Sequence, residues 1–333
     1  MVEAGTGGSD TCLGTGPNTT CVGLTGAVTR IAGGRQTRVV TRLPSWAPPT
    51  LQRGSGPAAV AVRNGTFYVL MQDALASSNG SNAFGPDGRT AGDLIATPAG
   101  RARPRVLANF ATFEVAHNPD HGAGPGSKFG NPSIDSDPYA LAPFRGGFAV
   151  VDAAANDLLW VSPEGRVSVL AVFPTQRVRL TTAVAKKIGA PSGLRSLEVQ
   201  SVPSCVAVGP DGALYVGELT GRPFEPGTAR VWRVVPGRKP ILFASGLTTI
   251  SDIAFDGRDL LVLELAARGL LDPASPGELL RIAPDGRRTV LARGGLVAPT
   301  GLAVSHATIY ISNNGLFPGH GPGAHGEVVA LPA

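Results

Sequence analysis

This sequence lacks the features that would most easily assign it to a functional class. No apolar run approaches the ~18 residues of a membrane span, and the printed first residues form neither the basic nor the apolar region of a signal peptide. There is no nucleophile elbow, phosphate-binding loop, dinucleotide-binding glycine motif or catalytic Cys–His signature. The arginines are scattered without interleaved aromatic residues, which argues against a nucleic-acid partner despite a net charge of +5.

Cysteine is also scarce, with only Cys12, Cys21 and Cys205. Cys12 and Cys21 lie nine positions apart in one Gly/Thr-rich loop, which fits a loop-closing disulfide in an exported protein. The alternative is a metal-binding pair, but no second Cys or His pair has zinc spacing. Cys205 precedes an apolar strand, so we expect it to be a buried thiol.

Glycine and proline are abundant, with 45 and 29 residues, and they punctuate short apolar runs. The clearest example is Pro203–Pro236. Val206–Val208, Leu214–Gly217 and Ala229–Val235 read as three strands, and the first two are joined by a Pro-Asp-Gly turn. This pattern predicts a β-meander.

The same unit recurs along the chain. In the last three repeats, the ends of the first strands are separated by 47 and 49 residues. Four strands per repeat at this period are typical of a propeller blade. We therefore predict a single all-β, six-bladed β-propeller domain over 1–333. The predicted blades are approximately 1–50, 51–110, 137–174, 202–246, 247–295 and 296–333, with insertions at 110–137 and 174–202.

The two terminal repeats are incomplete. The first blade shows no innermost strand, and the last shows no fourth strand. Because an open sheet edge pairs with other chains, we expect a signal peptide and one or two strands upstream of Met1, and a monomer if the full-length blade closes. A secreted or periplasmic protein is expected, because the disulfide predicted between Cys12 and Cys21 fits an exported protein.

Loop lengths predict a working face. Turns after the first and third strands are short, whereas all long loops follow second or fourth strands and so share one end of the blades. Within the insertions, Phe110–Val115 and Leu180–Ile188 are predicted short helices. The long loops are Gly5–Thr25, Gln72–Ala91, Leu219–Thr228, Ala266–Gly277 and Gly315–Gly326.

Polar residues end most of the second strands and are the candidate site. If they gather at the axis, they could hold a divalent cation such as calcium through oxygen ligands. The alternative is that each caps its own loop; in blade two the pattern breaks, because Met71 occupies the place. Trp46, Arg222 and Asn314 are further candidates for ligand contact on the long-loop face. The strand-end set is Glu3, Asp152, Glu218, Glu264 and Asn313.

Several stretches along nearly the whole chain carry a resemblance to a known family. They are Thr25–Ile31, Gly92–Ala96, Phe113–Asp120, Asp135–Leu141, Val150–Leu159, Val167–Pro174, Ser201–Gly237, Leu296–Val304 and Tyr310–Gly315. In these stretches the chain resembles the ScyD/ScyE family, which are NHL-repeat-like propellers. Members usually begin with an export signal and a first strand that ends in Gly-Pro-Asp-Gly, both missing here. The resemblance implies a secreted propeller, with no defined reaction to transfer to residues.

Two function classes follow from the sequence. The first is a non-catalytic binding or scaffold protein that holds a small molecule, a glycan or a protein on the long-loop face. The second is a metal-dependent hydrolase or lyase, of the gluconolactonase or virginiamycin-lyase type, with a cation at the axis. The absence of a catalytic constellation favours the first.

Overall fold

The fold is described from a computed structural model over residues 1–16, 19–49, 54–73, 88–122, 135–315 and 326–333. Large parts of two predicted long loops and of the first insertion lie outside these residues. The described residues fall into two compact units. One holds residues up to 119, 135–155 and 159–169, and the other holds 120–122, 156–158 and 170 onward.

Two complete sheets belong to the first unit. β3 pairs with β1, β2 and β4, and β4 pairs in parallel with the two-residue β8. The second sheet has the order β5-β6-β7-β9. The strands are β1 Val2–Glu3, β2 Cys12–Leu13, β3 Thr20–Ala32, β4 Arg35–Ala47, β5 Pro57–Arg63, β6 Thr66–Met71, β7 Asp93–Thr97, β8 Gly100–Arg101 and β9 Arg105–Asn109.

A third sheet follows with the order β10-β11-β12-β13, in which neighbours along the chain are neighbours in the sheet. Its strands are β10 Pro138–Phe144, β11 Gly147–Asp152, β12 Asp157–Val161 and β13 Val167–Val172. A separate two-stranded ribbon comes next, formed by β14 Gln176–Arg179 and β15 Ser196–Val199.

The second unit contains two four-stranded meanders and a three-stranded one, with the orders β16-β17-β18-β19, β20-β21-β22-β23 and β24-β25-β26. The strands are β16 Pro203–Val208, β17 Leu214–Glu218, β18 Ala229–Val234, β19 Ile241–Leu247, β20 Ile250–Asp256, β21 Asp259–Glu264, β22 Glu278–Ile282, β23 Arg288–Ala292, β24 Gly301–Ser305, β25 Thr308–Asn313 and β26 Glu327–Pro332.

These six sheets are the blades of an all-β, six-bladed β-propeller, as the repeat spacing predicts. Within the described residues, β1, β3 and β4 occupy the second, third and fourth strand positions of the first blade, and no strand pairs with the free edge of β1. The last blade has three strands.

The sheets pack face to face, which explains the continuous apolar runs of their middle strands. In β21, Leu260 and Val262 point into the core shared with the β16–β19 blade, whereas Leu261 and Leu263 point into the core shared with the last blade. Successive side chains of a strand alternate between its faces, so a strand covered on both faces is apolar throughout. The outer strands β13, β19 and β23 carry more exposed residues.

Both predicted helices are present. The α1 helix spans Phe110–His117, and the side chain of Asn109 caps its N-terminus by accepting from the Thr112 N–H at 2.6 Å. The α2 helix spans Thr182–Lys187 in the second insertion, between β14 and β15. Neither has the length and the apolar character that a membrane-spanning helix needs.

The first blade differs most from the prediction. Its two long strands each run for 13 residues, so the segment around Trp46 is the end of β4 rather than a loop. Part of the predicted loop Gly5–Thr25 is a short hairpin, in which Cys12 pairs with Cys21. The two cysteines form a disulfide, which confirms that prediction, and Cys205 is a buried free thiol.

Candidate functional site

The residues that end the second strands share one arrangement. Each accepts or makes hydrogen bonds with the segment that leads into the first strand of its own blade; we call these bonds the strand-end ties. Asp152 is the clearest case, since it accepts from Ser136 Oγ at 2.5 Å and from the Asp137 N–H at 2.7 Å. It also accepts from the N–H groups of Ala154 and Ala155. All of these donors lie within a few residues of its own sheet.

Glu218 is fully buried and makes the densest set of ties. Its Oε1 accepts from Ser201 Oγ and from Trp232 Nε1, both at 2.7 Å. Arg230 forms a bidentate ion pair with both carboxylate oxygens, at 2.7 and 2.9 Å. Burial raises the pKa of Glu218, and the opposing ion pair with Arg230 limits that rise.

Glu264 and Asn313 repeat the tie in the last two blades. Glu264 accepts from the Thr248 N–H at 2.7 Å, and its pKa is raised to about 7, first by burial and then by the neighbouring Glu278 carboxylate. Asn313 accepts from the Val297 N–H at 2.7 Å, while its amide nitrogen donates to the Gly295 carbonyl. The tie therefore works with a carboxylate or an amide, because it needs an acceptor and not a charge.

A backbone bond accompanies each tie. The residue after the strand end donates its N–H to a carbonyl just ahead of the first strand. These bonds are Gln72 to Gly56, Ala153 to Asp137, Leu219 to Val202, Leu265 to Thr249 and Asn314 to Val297. The start of each long loop is thus fixed to its own sheet, whatever the rest of the loop does.

Glu3 is tied in a different way. Its carboxylate pairs with Arg38 on β4 and accepts from Thr29 on β3, both within the first blade. Each of the five predicted ligands accepts a protein donor through at least one side-chain oxygen. Across the part of the chain that the structure describes, no group of three or more His, Cys, Asp or Glu residues is arranged to hold a metal ion. The cation therefore remains a prediction, and no step is derived through it.

A second group of carboxylates gathers where blade two breaks the pattern. Asp73, two residues after Met71, donates its N–H to Asp137 Oδ1 at 3.1 Å. Burial together with the charge of Asp73 raises the pKa values of Asp135 and Asp137, and burial raises the pKa of Asp152 to about 6. Sequence reasoning passed over Asp137, although the Asp-Ser-Asp-Pro run at the start of β10 was a visible signal.

Trp46 lies beside this group and not on an open surface. It is 3% exposed, packs in the core of the first blades, and donates from Nε1 to Asp73 Oδ2 at 2.9 Å. A buried tryptophan with its N–H bonded to a carboxylate orients that carboxylate. The contact with a ligand predicted for Trp46 would require this side chain to move.

In the second unit, the second insertion and two long loops form one hydrogen-bonded surface. We call it the platform: residues 174–202 with the loops 219–228 and 266–277. The Gly221 N–H donates to the Gln200 carbonyl at 3.0 Å, and Gln176 Nε2 donates to the Thr228 carbonyl at 3.0 Å. Lys187, at the end of α2, donates to the Leu271 carbonyl. The second insertion is therefore joined to both loops.

The two loops also touch each other directly. Gly269 has φ near +82°, and a Cβ added to it would lie 2.6 Å from the Phe224 carbonyl oxygen and 3.4 Å from Pro226. Only glycine fits both the conformation and the space. This contact holds loop 266–277 against loop 219–228.

The platform is strongly basic. It contains seven Lys and Arg residues and three acidic residues. One cation is neutralised locally, since Arg268 pairs with Asp272 at 2.7 Å. Arg177 and Arg179 flank the buried Val178, so both project from the exposed face of β14. The other exposed cations on the platform include Lys186, Arg195 and Arg222, the last being a predicted ligand-face residue.

Sequence reasoning missed this basic surface because the arginines of the chain as a whole are dispersed. The local signal was the second insertion, in which five cations accompany one carboxylate, Glu198. That count became meaningful only when the insertion was placed beside two further loops. Asn314, also predicted for the long-loop face, is the residue after Asn313. Its N–H donates to the Val297 carbonyl.

Comparisons with known proteins find structural likenesses but assign no family to the chain. No family model matches the chain, and no curated protein matches it. A solved nidogen/laminin complex is similar over 94% of this chain and 89% of that chain, with 11% identity and a TM-score of 0.49. A streptogramin B lyase is similar over 84% and 69%, with 12% identity and a TM-score of 0.44.

A gluconolactonase from Xanthomonas campestris covers 56% of this chain and 54% of its own, with 16% identity and a TM-score of 0.37. At such scores these likenesses carry no argument about activity. A function therefore has to be argued from the chain's own residues.

Proposed function

We propose that this chain is a non-catalytic binding protein and that the platform is its binding surface. The observation that carries the proposal is the use of the strand-end residues. These side chains accept hydrogen bonds from segments of their own blades, so they act as anchors of the long loops. They are Asp152, Glu218, Glu264 and Asn313. A rigid scaffold that presents fixed loops is the usual basis of a binding surface.

The partner that fits the platform best is an acidic glycan. Exposed guanidinium groups bind carboxylate and sulfate groups through paired hydrogen bonds. The cations are spread along the second insertion, and this distribution suits a polymer with repeated charges better than a single small anion. Among the three partner types predicted from the sequence, a small molecule, a glycan or a protein, the charge supports the acidic glycan.

The test is binding to polygalacturonate, with neutral dextran as the reference polymer. In Arg177→Ala/Arg179→Ala/Arg195→Ala we expect a loss of affinity of roughly threefold to a hundredfold, because exposed ion pairs contribute about 0.2–1 kcal/mol each. Affinity in the wild type should fall steeply as salt is added, since salt screens charges on an exposed surface.

The matched control is Arg238→Ala/Lys239→Ala/Arg258→Ala, which removes three exposed cations from short turns of the same unit. It should bind polygalacturonate as the wild type does. Equal losses in both triple variants, or equal binding to polyglutamate, would show a general charge effect and contradict the assignment of a glycan.

The finer parts of the assignment rest on the sequence. We propose a ScyD/ScyE-like protein that acts outside the cytoplasm; the Cys12–Cys21 disulfide is compatible with an extracellular or periplasmic protein. The alternative is a metal-dependent hydrolase or lyase, and no specific observation among the described residues favours it. Its test is the response of the melting temperature to divalent cations.

A further inference from the structure

A cavity of about 500 Å³ that is open to solvent lies in the first unit, outside the platform and the strand-end ties. It is lined by Arg89, Arg101, Ala102, Arg103 and Pro104. Among the lining residues that the structure describes, three are cationic and none is acidic. All three arginines are exposed, and no side-chain partner of theirs is present among the described residues.

The backbone that carries two of these arginines is held in place. β8, which contains Arg101, pairs in parallel with β4, and the Ala102 N–H donates to the Thr41 carbonyl at 2.8 Å. The Arg103 N–H donates to Thr97 Oγ1 at 3.0 Å. The segment is thus tied to both of the first two sheets.

Like charges that line one cavity repel each other, and the cost is relieved when an anion binds. Guanidinium groups present paired N–H donors in a plane, which match two oxygens of a phosphate or sulfate. The residues Pro98 and Pro104 border the segment and limit its freedom, so less ordering is needed on binding.

We propose that Arg89, Arg101 and Arg103 form a binding site for a doubly charged oxyanion, a phosphate or sulfate group. The group is either a free ion or an ester on a saccharide, and the two share the same chemistry. The site is independent of the platform and of the proposed function, because none of its residues belongs to the second unit.

The experiment is isothermal titration of the full chain with inorganic phosphate, inorganic sulfate and glucose 6-phosphate, with chloride used to hold the ionic strength constant. We expect saturable binding of the divalent oxyanions. Arg101→Gln/Arg103→Gln should weaken it about tenfold or more, which is the scale of losing charge-assisted pairs. Tighter binding of glucose 6-phosphate than of phosphate assigns the ester, and the reverse order assigns the free ion.

The matched control is Arg30→Gln/Arg35→Gln, which removes two exposed arginines from the β3–β4 end of the same unit. It should bind as the wild type does. The proposal would be overturned if none of the three ligands bound saturably. It would also be overturned if the two double variants bound with equal affinity. Far-ultraviolet circular dichroism and melting temperature establish that each variant is folded, and Arg89→Gln alone provides a second, milder test.

Discussion

At the scale of single residues, the main finding is that buried acidic groups in this protein act as acceptors for the backbone. Glu264 is 5% exposed and binds the Thr248 N–H, yet the Arg293 guanidinium pairs with Glu278 instead. A carboxylate that is buried with few charged partners is more stable protonated. Its role as an anchor therefore has a consequence for stability that depends on pH.

Glu264→Gln should remove part of the pH dependence of stability. The pKa of Glu264 is about 7 in the folded chain, above the 4.5 that is ordinary for an exposed glutamate, so folding favours the protonated form. Its contribution is fully present below pH 4.5 and is lost as the pH rises through 7. Relative to the variant, the wild type should lose roughly 1–3 kcal/mol of unfolding free energy across this window.

The measurement is urea unfolding at several pH values from 4.5 to 8, where the interval is set by the two pKa values. Gln can still accept the Thr248 N–H, so the tie itself is kept. As a control, Asp285→Asn changes a carboxylate on an exposed turn and should follow the wild type at each pH. If the free energies of unfolding of the wild type and Glu264→Gln changed with pH in parallel, ionisation of this carboxylate would not destabilise the folded chain.

At the scale of elements, the second insertion matters because it joins two blades' loops. β14 and β15 form a ribbon outside the six sheets, and its bonds to loops 219–228 and 266–277 create the platform. Loops on propellers need not contact one another. Here a close approach of backbone at Gly269 fixes one loop against the other.

Gly269→Ala should destabilise this contact beyond the cost of its backbone conformation. A side chain at φ +82° is strained, and its Cβ would also collide with the Phe224 carbonyl at 2.6 Å. The matched control is Gly237→Ala, because Gly237 has φ +80° and open space around it. The control should cost about 1 kcal/mol, and Gly269→Ala about 1–3 kcal/mol more.

Thermal unfolding measures both variants, and binding to polygalacturonate tests the consequence for the platform. We expect weaker glycan binding in Gly269→Ala than in Gly237→Ala. If the two variants unfold and bind alike, the loops do not depend on this contact, and the platform is held by the hairpin alone.

At the scale of the whole molecule, charge is unevenly distributed along the chain. The platform segments carry seven basic and three acidic residues, whereas the complete chain has a net charge of only +5. The rest of the sequence is therefore close to neutral. Across the residues that the structure describes, no group of three or more His, Cys, Asp or Glu is arranged to hold a metal ion, and the predicted cation stays a prediction.

Removal and addition of divalent cations tests this at the level of the intact chain. We expect the melting temperature to be the same with EDTA, calcium, magnesium or zinc, since a ligand raises it only by binding the folded state. A rise with one cation, abolished in Glu218→Gln, would contradict the anchoring role and would make the hydrolase or lyase class the one to pursue. Glu164→Gln, at an exposed turn, is the control.

The sequence by itself determined the blades, the disulfide and the helices, because each leaves a local pattern. The Leu260–Glu264 strand must be apolar throughout to sit between two sheets, and Gly212, with φ +74°, ends a turn that few other residues allow. The polar residues at the strand ends were also visible, since they recur with the repeat.

Only the tertiary structure decided what those polar residues do. Whether Glu218 faces a shared axis or its own Ser201, Arg230 and Trp232 depends on side-chain direction and on neighbours 12 to 17 positions away. The platform and the arginine cavity depend likewise on contacts between distant segments, such as β8 with β4. Periodicity encodes which residues are buried, but charges on loops follow no period, so their gathering is set by packing alone.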